Sequence, residues 1–107
     1  LDVAATLNNM AIIYENQGVY PRALDHYNRS LAIKRKAHGG DMHPDVAAII
    51  GNIGFVYHSM REYDRAIEHC QRSADIQMKI TGAKSTVVAT GLQGVANALQ
   101  AQGKYDE

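Results

Sequence analysis

The chain has 107 residues, 46% of them hydrophobic, enough for one compact unit with a buried core. Lys plus Arg and Asp plus Glu balance at 11 each. That neutrality excludes nucleic acid and anionic membrane surfaces as default partners, since both are held by basic side chains.

No apolar run approaches the roughly 18 residues of a membrane-spanning helix. No leader resembles a signal peptide, and a start without Met is expected of an excerpt from a longer chain. A single cysteine, Cys70, rules out an internal disulfide framework and fits a reducing, cytoplasmic setting.

The first predicted helix covers residues 2–17, where Val3, Leu7, Met10, Ala11 and Tyr14 recur at spacings of three and four. Gly18 ends it. The second covers 21–38, with Pro21 in its first turn and Ala23, Leu24, Tyr27, Leu31 and Ile33 on its apolar side. Lys34-Arg35-Lys36 complements the negative end of that helix dipole, the ordinary reading of a short basic run there. Gly39-Gly40 breaks the pattern, and His43-Pro44-Asp45 restarts it. Further helices are predicted over 44–60, 64–81 and 86–102, with no strand pattern between them.

The chain matches itself when shifted by 43. Asp2-Val3-Ala4-Ala5 returns as Asp45-Val46-Ala47-Ala48. Tyr14 returns as Tyr57, and Tyr20, Arg22, Ala23 and His26 return as Tyr63, Arg65, Ala66 and His69. Arg29-Ser30 returns as Arg72-Ser73. A third copy follows at a shift of 42, where Val88-Ala89, Leu92, Ala96, Gln102-Gly103 and Tyr105 echo the first unit. The expected organisation is one solenoid unit over 1–107, with repeats near 1–43, 44–85 and an incomplete 86–107.

The string LNNMAIIYENQGVYPRALDHYNRSLAIKRK resembles the tetratricopeptide repeat. Leu7, Ala11, Tyr14, Gly18, Tyr20, Ala23, Tyr27 and Leu31 stand at its signature positions. Ile50, Gly54, Tyr57, Tyr63, Ala66 and Cys70 do so in the second unit, and Leu92, Ala96, Gly103 and Tyr105 in the third. The long period, with HPDVA leading into the second unit, is similar to the kinesin light chain subclass. Departures are Arg61 where a turn Gly is expected, Cys70 in place of an aromatic and Leu99 in place of Tyr. The resemblance implies an all-α, right-handed solenoid of antiparallel helix pairs, about two and a half repeats long.

It also implies an interaction module that binds a protein or peptide partner on a concave groove lined by the first helix of each unit. By position, the groove residues are Asn8, Asn9, Ile12, Glu15 and Asn16, then Asn52, Phe55, His58 and Ser59, then Gln93, Asn97 and Gln100. The amides among them can pair with a peptide backbone. The set holds no Lys or Arg, which argues against a clamp for a terminal carboxylate. The alternative is structural self-assembly. Leu92, Val95 and Leu99 on the last helix lack a following helix in this chain, and such a stripe favours self-association.

The remaining polar residues point to no chemistry. His38, Asp41 and His43 cluster in one loop, but the second unit replaces them with Thr81, Lys84 and Thr86, so they read as loop structure and not as a metal site. His26 and His69 sit at matching places on second helices. Cys70 occupies the packing position of Tyr27. No phosphate loop, GxSxG or HExxH motif and no activated nucleophile occurs, so neither an enzyme nor a cofactor is expected.

Overall fold

A computed structural model of the chain describes residues 2–82 and 84–106, the side chains of 104–106 apart. Tyr105, a signature position of the third unit, therefore lies outside the described side chains. Five helices follow in order: α1 (Val3–Asn16), α2 (Tyr20–His38), α3 (Pro44–Ser59), α4 (Tyr63–Thr81) and α5 (Thr86–Asp106). No strand occurs among the described residues. The predicted helices coincide with these within two residues, except that α5 continues through Gly103 instead of ending at 102.

The turns explain the boundaries. Asp2 caps α1, its carboxylate accepting from the Ala5 amide at 3.1 Å. Gly18 leaves α1 at φ 77°, a left-handed conformation that glycine adopts without penalty. Its counterpart Arg61 takes the same role at φ 63° with a side chain attached. In both turns the chain then closes on a tyrosine carbonyl: Val19 N–H donates to Tyr14 and Glu62 N–H to Tyr57, each at 2.9 Å. Gly39, at φ 72°, ends α2.

The sequence repeat is a repeat of contacts. Ser30, fully buried, donates its hydroxyl to the Ala4 carbonyl at 2.8 Å, and Ser73 donates to the Ala47 carbonyl at 2.6 Å. The Nδ1–H of His26 donates to the Arg22 carbonyl and that of His69 to the Arg65 carbonyl, both at 2.8 Å. The same two rings lie 5.0 and 5.1 Å from Tyr14 and Tyr57. Both histidines are thus helix-face packing residues.

The core runs through Ala11, Ala23, Tyr27, Leu31, Val46, Ile50, Ile53, Val56 and Ile76. The middle helix, α3, is buried along two stripes, because helices cover it on both sides. One stripe is Val46, Ile49, Ile53 and Val56; the other includes Ala47, Ile50 and Gly54. The outer first helices each keep one stripe. On α5, Val88, Gly91, Gly94 and Ala98 are buried, while Leu92 and Leu99, the counterparts of Ile50 and Tyr57, are 42% and 53% exposed. On α1, Ala4, Leu7 and Ala11 are buried, while Val3, Met10 and Ile13, the counterparts of Val46, Ile53 and Val56, are exposed. Met10 therefore lies off the core that its spacing suggested, and so does Ile33 on α2. The molecule is a slab of 48 × 33 × 18 Å.

Candidate functional site

Between successive first helices lies a shallow recess, and the repeat makes it twice. The first, of about 200 Å³, is walled by Ala4, Ala5 and Asn8 of α1 and by Asp45, Ala48, Ile49 and Asn52 of α3, with Ser30 and Lys34 of α2 behind. The second, of about 150 Å³, is walled by Ala48, Gly51, Asn52 and Phe55 of α3 and by Thr86, Val87, Thr90 and Gly91 of α5, with Ser73 of α4 behind. Ala5 and Ala48, Asn8 and Gly51, Ser30 and Ser73, Asp45 and Val87 are repeat counterparts. Asn52 and Ala48 belong to both recesses.

The two differ in character. The first is the more polar: Lys34 Nζ stands 3.7 Å from an Asp2 oxygen and 3.4 Å from Asp45 Oδ2. The backbone amide of Ala5, followed by Lys34, holds the Asp2 carboxyl below its ordinary value despite some desolvation. For Asp45, burial works upward, but Lys34 and His38 outweigh it and the carboxyl is lowered too. The Asn8 side-chain oxygen is buried there with no hydrogen-bond partner among the described residues. The second recess is the less polar, with the Phe55 ring in its wall and Val87 at the position that Asp45 holds in the first.

Of the predicted groove residues, Asn8, Asn52 and Phe55 come together at the recesses. Asn9, Ile12, Asn16, Ser59, Gln93, Asn97 and Gln100 are exposed on the same helices and line neither recess. Glu15 accepts the Tyr27 hydroxyl at 2.8 Å. Burial and then this carboxylate raise the Tyr27 phenol above its usual range. His58 meets the Tyr63 ring edge-on, Ser59 donates to the Phe55 carbonyl at 3.2 Å, and Gln93 donates to Asn97 at 2.9 Å. Lys34 of the second helix, outside the predicted set, also lines the first recess.

Cys70 is buried between three helices. A Cβ placed on Gly54 would lie 2.6 Å from its sulfur, and one on Gly94 would lie 2.7 Å from it. Burial pushes the thiol up to about 11, so it is a packing residue and a poor nucleophile. The loop cluster also differs from the sequence expectation. Asp41 turns away from the histidines to bind Arg35 at 2.6 Å and Arg72, and Asp45 takes its place beside His38 and His43. Among the described residues no helix is long and apolar enough to cross a membrane.

Two family models, each described as tetratricopeptide repeat, match residues 45–107 and 3–45. No curated protein matches the chain significantly. Among solved structures, the crystal structure of BtubC (BKLC) from P. vanneervenii superposes on 97% of this chain with a TM-score of 0.85 and 23% sequence identity. The chain spans 41% of that one's length, and the likeness is one of fold.

Proposed function

Because the chain belongs to the tetratricopeptide repeat family, we propose that it is a protein-binding module which holds an extended partner peptide along the wall formed by α1, α3 and α5. The observation that carries this reading is the pair of unlike recesses joined by Asn52. A peptide lying across them meets the more polar subsite and then the less polar one. The Asn52 amide can both donate to and accept from its backbone. Asn8, in the wall of the first recess, adds a second amide that can pair with the peptide. An aliphatic side chain suits the second. Asn9, Ile12, Asn16, His58, Ser59, Gln93 and Asn97 would widen the contact.

The period of 43 and His43-Pro44-Asp45-Val46-Ala47 support placement near the kinesin light chain subclass. The neutral charge supports a protein partner over nucleic acid or membrane, and the single buried thiol supports a cytoplasmic setting without catalysis. The test is selection from a randomised peptide library, followed by affinity measurement. Asn52→Ala should weaken the best peptides about fivefold to tenfold, the loss of one or two hydrogen bonds. Phe55→Ala should erase the preference for an aliphatic residue. Peptides that bind both variants as they bind the parent chain would refute the groove.

A second reading rests on the exposed stripe of α5. Leu92 and Leu99 support self-association of this chain. Sedimentation at micromolar concentration should show a species heavier than the monomer, restored to monomer mass by Leu92→Asn with Leu99→Asn. A monomeric parent chain would end that reading.

A further inference from the structure

The junction between α2 and α3 carries a group of ligands that packing does not require. His38 lies in the last turn of α2, His43 caps α3, and Asp45 sits in the first turn of α3. The two imidazoles stack at 3.4 Å between centroids and 3° between planes. One oxygen, Asp45 Oδ2, stands 3.3 Å from His38 Nε2 and 3.8 Å from His43 Nδ1. One donor atom from each residue lies within 4.8 Å of the others. A tetrahedral zinc ion with bonds of about 2.0–2.2 Å has edges of about 3.3–3.6 Å between its ligand atoms. The Asp45–His38 pair stands at that spacing and the Asp45–His43 pair slightly beyond it, and one of the two stacked rings must turn out of the stack for both imidazole nitrogens to face a common ion.

The second junction shows that the fold closes without these residues. Thr81, Ser85 and Val87 stand at the equivalent positions, since the place before the helix start that His43 holds is taken by Ser85 and not by the Thr86 that a uniform shift of 43 gives. There Ser85 Oγ accepts the Val87 amide at 3.2 Å, the ordinary way to open a helix. The first junction uses His43 Nδ1 for the same purpose, accepting the Asp45 amide at 3.1 Å. An accepting nitrogen carries no proton, which is the form in which imidazole ligates a metal. The loop is braced independently: Asp41 is held by Arg35 and Arg72, and its carbonyl accepts the His43 amide at 2.8 Å.

We propose that His38, His43 and Asp45 form a three-ligand site for a zinc-class divalent cation, with a fourth position open to water or to a partner's side chain. Imidazole and carboxylate together suit Zn²⁺ over Mg²⁺ or Ca²⁺, which prefer oxygen alone. On binding, Lys34 gives up Asp45 and keeps Asp2, which it already faces. The Asp45 amide, at an exposed position, passes to water. The ion ties the end of one unit to the start of the next, beside the polar recess that Asp45 also lines.

The test is a calorimetric titration of the metal-stripped chain with zinc chloride at pH 7.5. One equivalent should bind with micromolar affinity, and Co²⁺ in its place should show the intense visible absorption of a tetrahedral site. His38→Gln and Asp45→Asn should each weaken zinc at least tenfold while the far-UV circular dichroism stays that of the parent chain. His58→Gln, outside the cluster, should leave the affinity unchanged. Absence of stoichiometric uptake by the parent chain, or parent-like affinity in His38→Gln, overturns the site.

Discussion

Replacing Gly54 by Ala is the sharpest probe of how the units meet. In an open helix this change stabilises by about 1 kcal/mol, because alanine loses less freedom on folding. At Gly54 the new methyl would sit 2.6 Å from Cys70 Sγ, 3.1 Å from the Cys70 nitrogen and 3.3 Å from the Ala66 carbonyl oxygen. Comfortable contacts between such atoms are about 3.5–4.0 Å, so the sulfur must retreat by about 1 Å. It has little room to do so, since Gly94 of α5 stands against its other side with a Cβ position only 2.7 Å away. The two other contacts are backbone atoms and yield only if α4 shifts. Overpacking costs about 1–3 kcal/mol, and with two of the three contacts made to backbone the upper part of that range, about 2–3 kcal/mol, applies and outweighs the helical gain. The expected net loss is about 1–2 kcal/mol, a fall of about 1 M in the urea midpoint for a slope near 1–2 kcal/mol/M. Cys70→Ala removes the sulfur, so Gly54→Ala should cost at least about 1 kcal/mol less in that background. Equal cost in both backgrounds, or a Gly54→Ala chain as stable as its parent, would refute the account of this junction.

Other outcomes follow from single features. Arg61→Gly should be more stable than Arg61→Ala by about 0.5–1 kcal/mol in urea unfolding, since a left-handed residue with a Cβ costs about 1–2 kcal/mol and glycine's extra freedom returns only part of that; equal stability of the two variants would show that the turn imposes no backbone cost. Native Cys70 should react with a disulfide reagent at pH 8 at least about a hundredfold more slowly than in urea, because raising its pKa from 9.0 to about 11 cuts the thiolate by that factor before access is counted. Asp41, lowered from 3.8 by its hydrogen bonds to Arg35 and Arg72, contributes stability that is present above about pH 4 and lost as pH falls through its folded value. Asp41→Asn should therefore lower the melting temperature at pH 7, by the equivalent of up to about 1 kcal/mol, and the gap to the parent should narrow steadily as pH falls below about 4.

Much of this architecture is legible in the residues, for a physical reason. A 43-residue self-match leaves few alternatives when Gly39 and Gly82 mark the same turn, and the helix ends of the first unit follow from Gly18, Pro21, Gly39 and Pro44. What periodicity cannot tell is which of two apolar stripes finds a partner. Met10 looks like core by its spacing, yet of the three first helices only α3 has helices on both sides. The recesses were half legible. Asn8, Asn52 and Phe55 follow from position on the first helices, whereas Lys34 arrives from a neighbouring helix over four flexible methylenes. Asp45 rather than Asp41 joins the histidines because two arginines, one of them 31 residues away, capture Asp41 first.

Ser30 and Ser73 act as fasteners. Aliphatic side chains along a helix pair tolerate a slide of one turn, since one methyl replaces another at little cost. A buried hydroxyl aimed at a single carbonyl does not: a slide would strand the donor in an apolar interior. Placed once in each complete pair, the two serines set the axial alignment of each hairpin, and so the spacing at which any ligand along the wall must present its own groups.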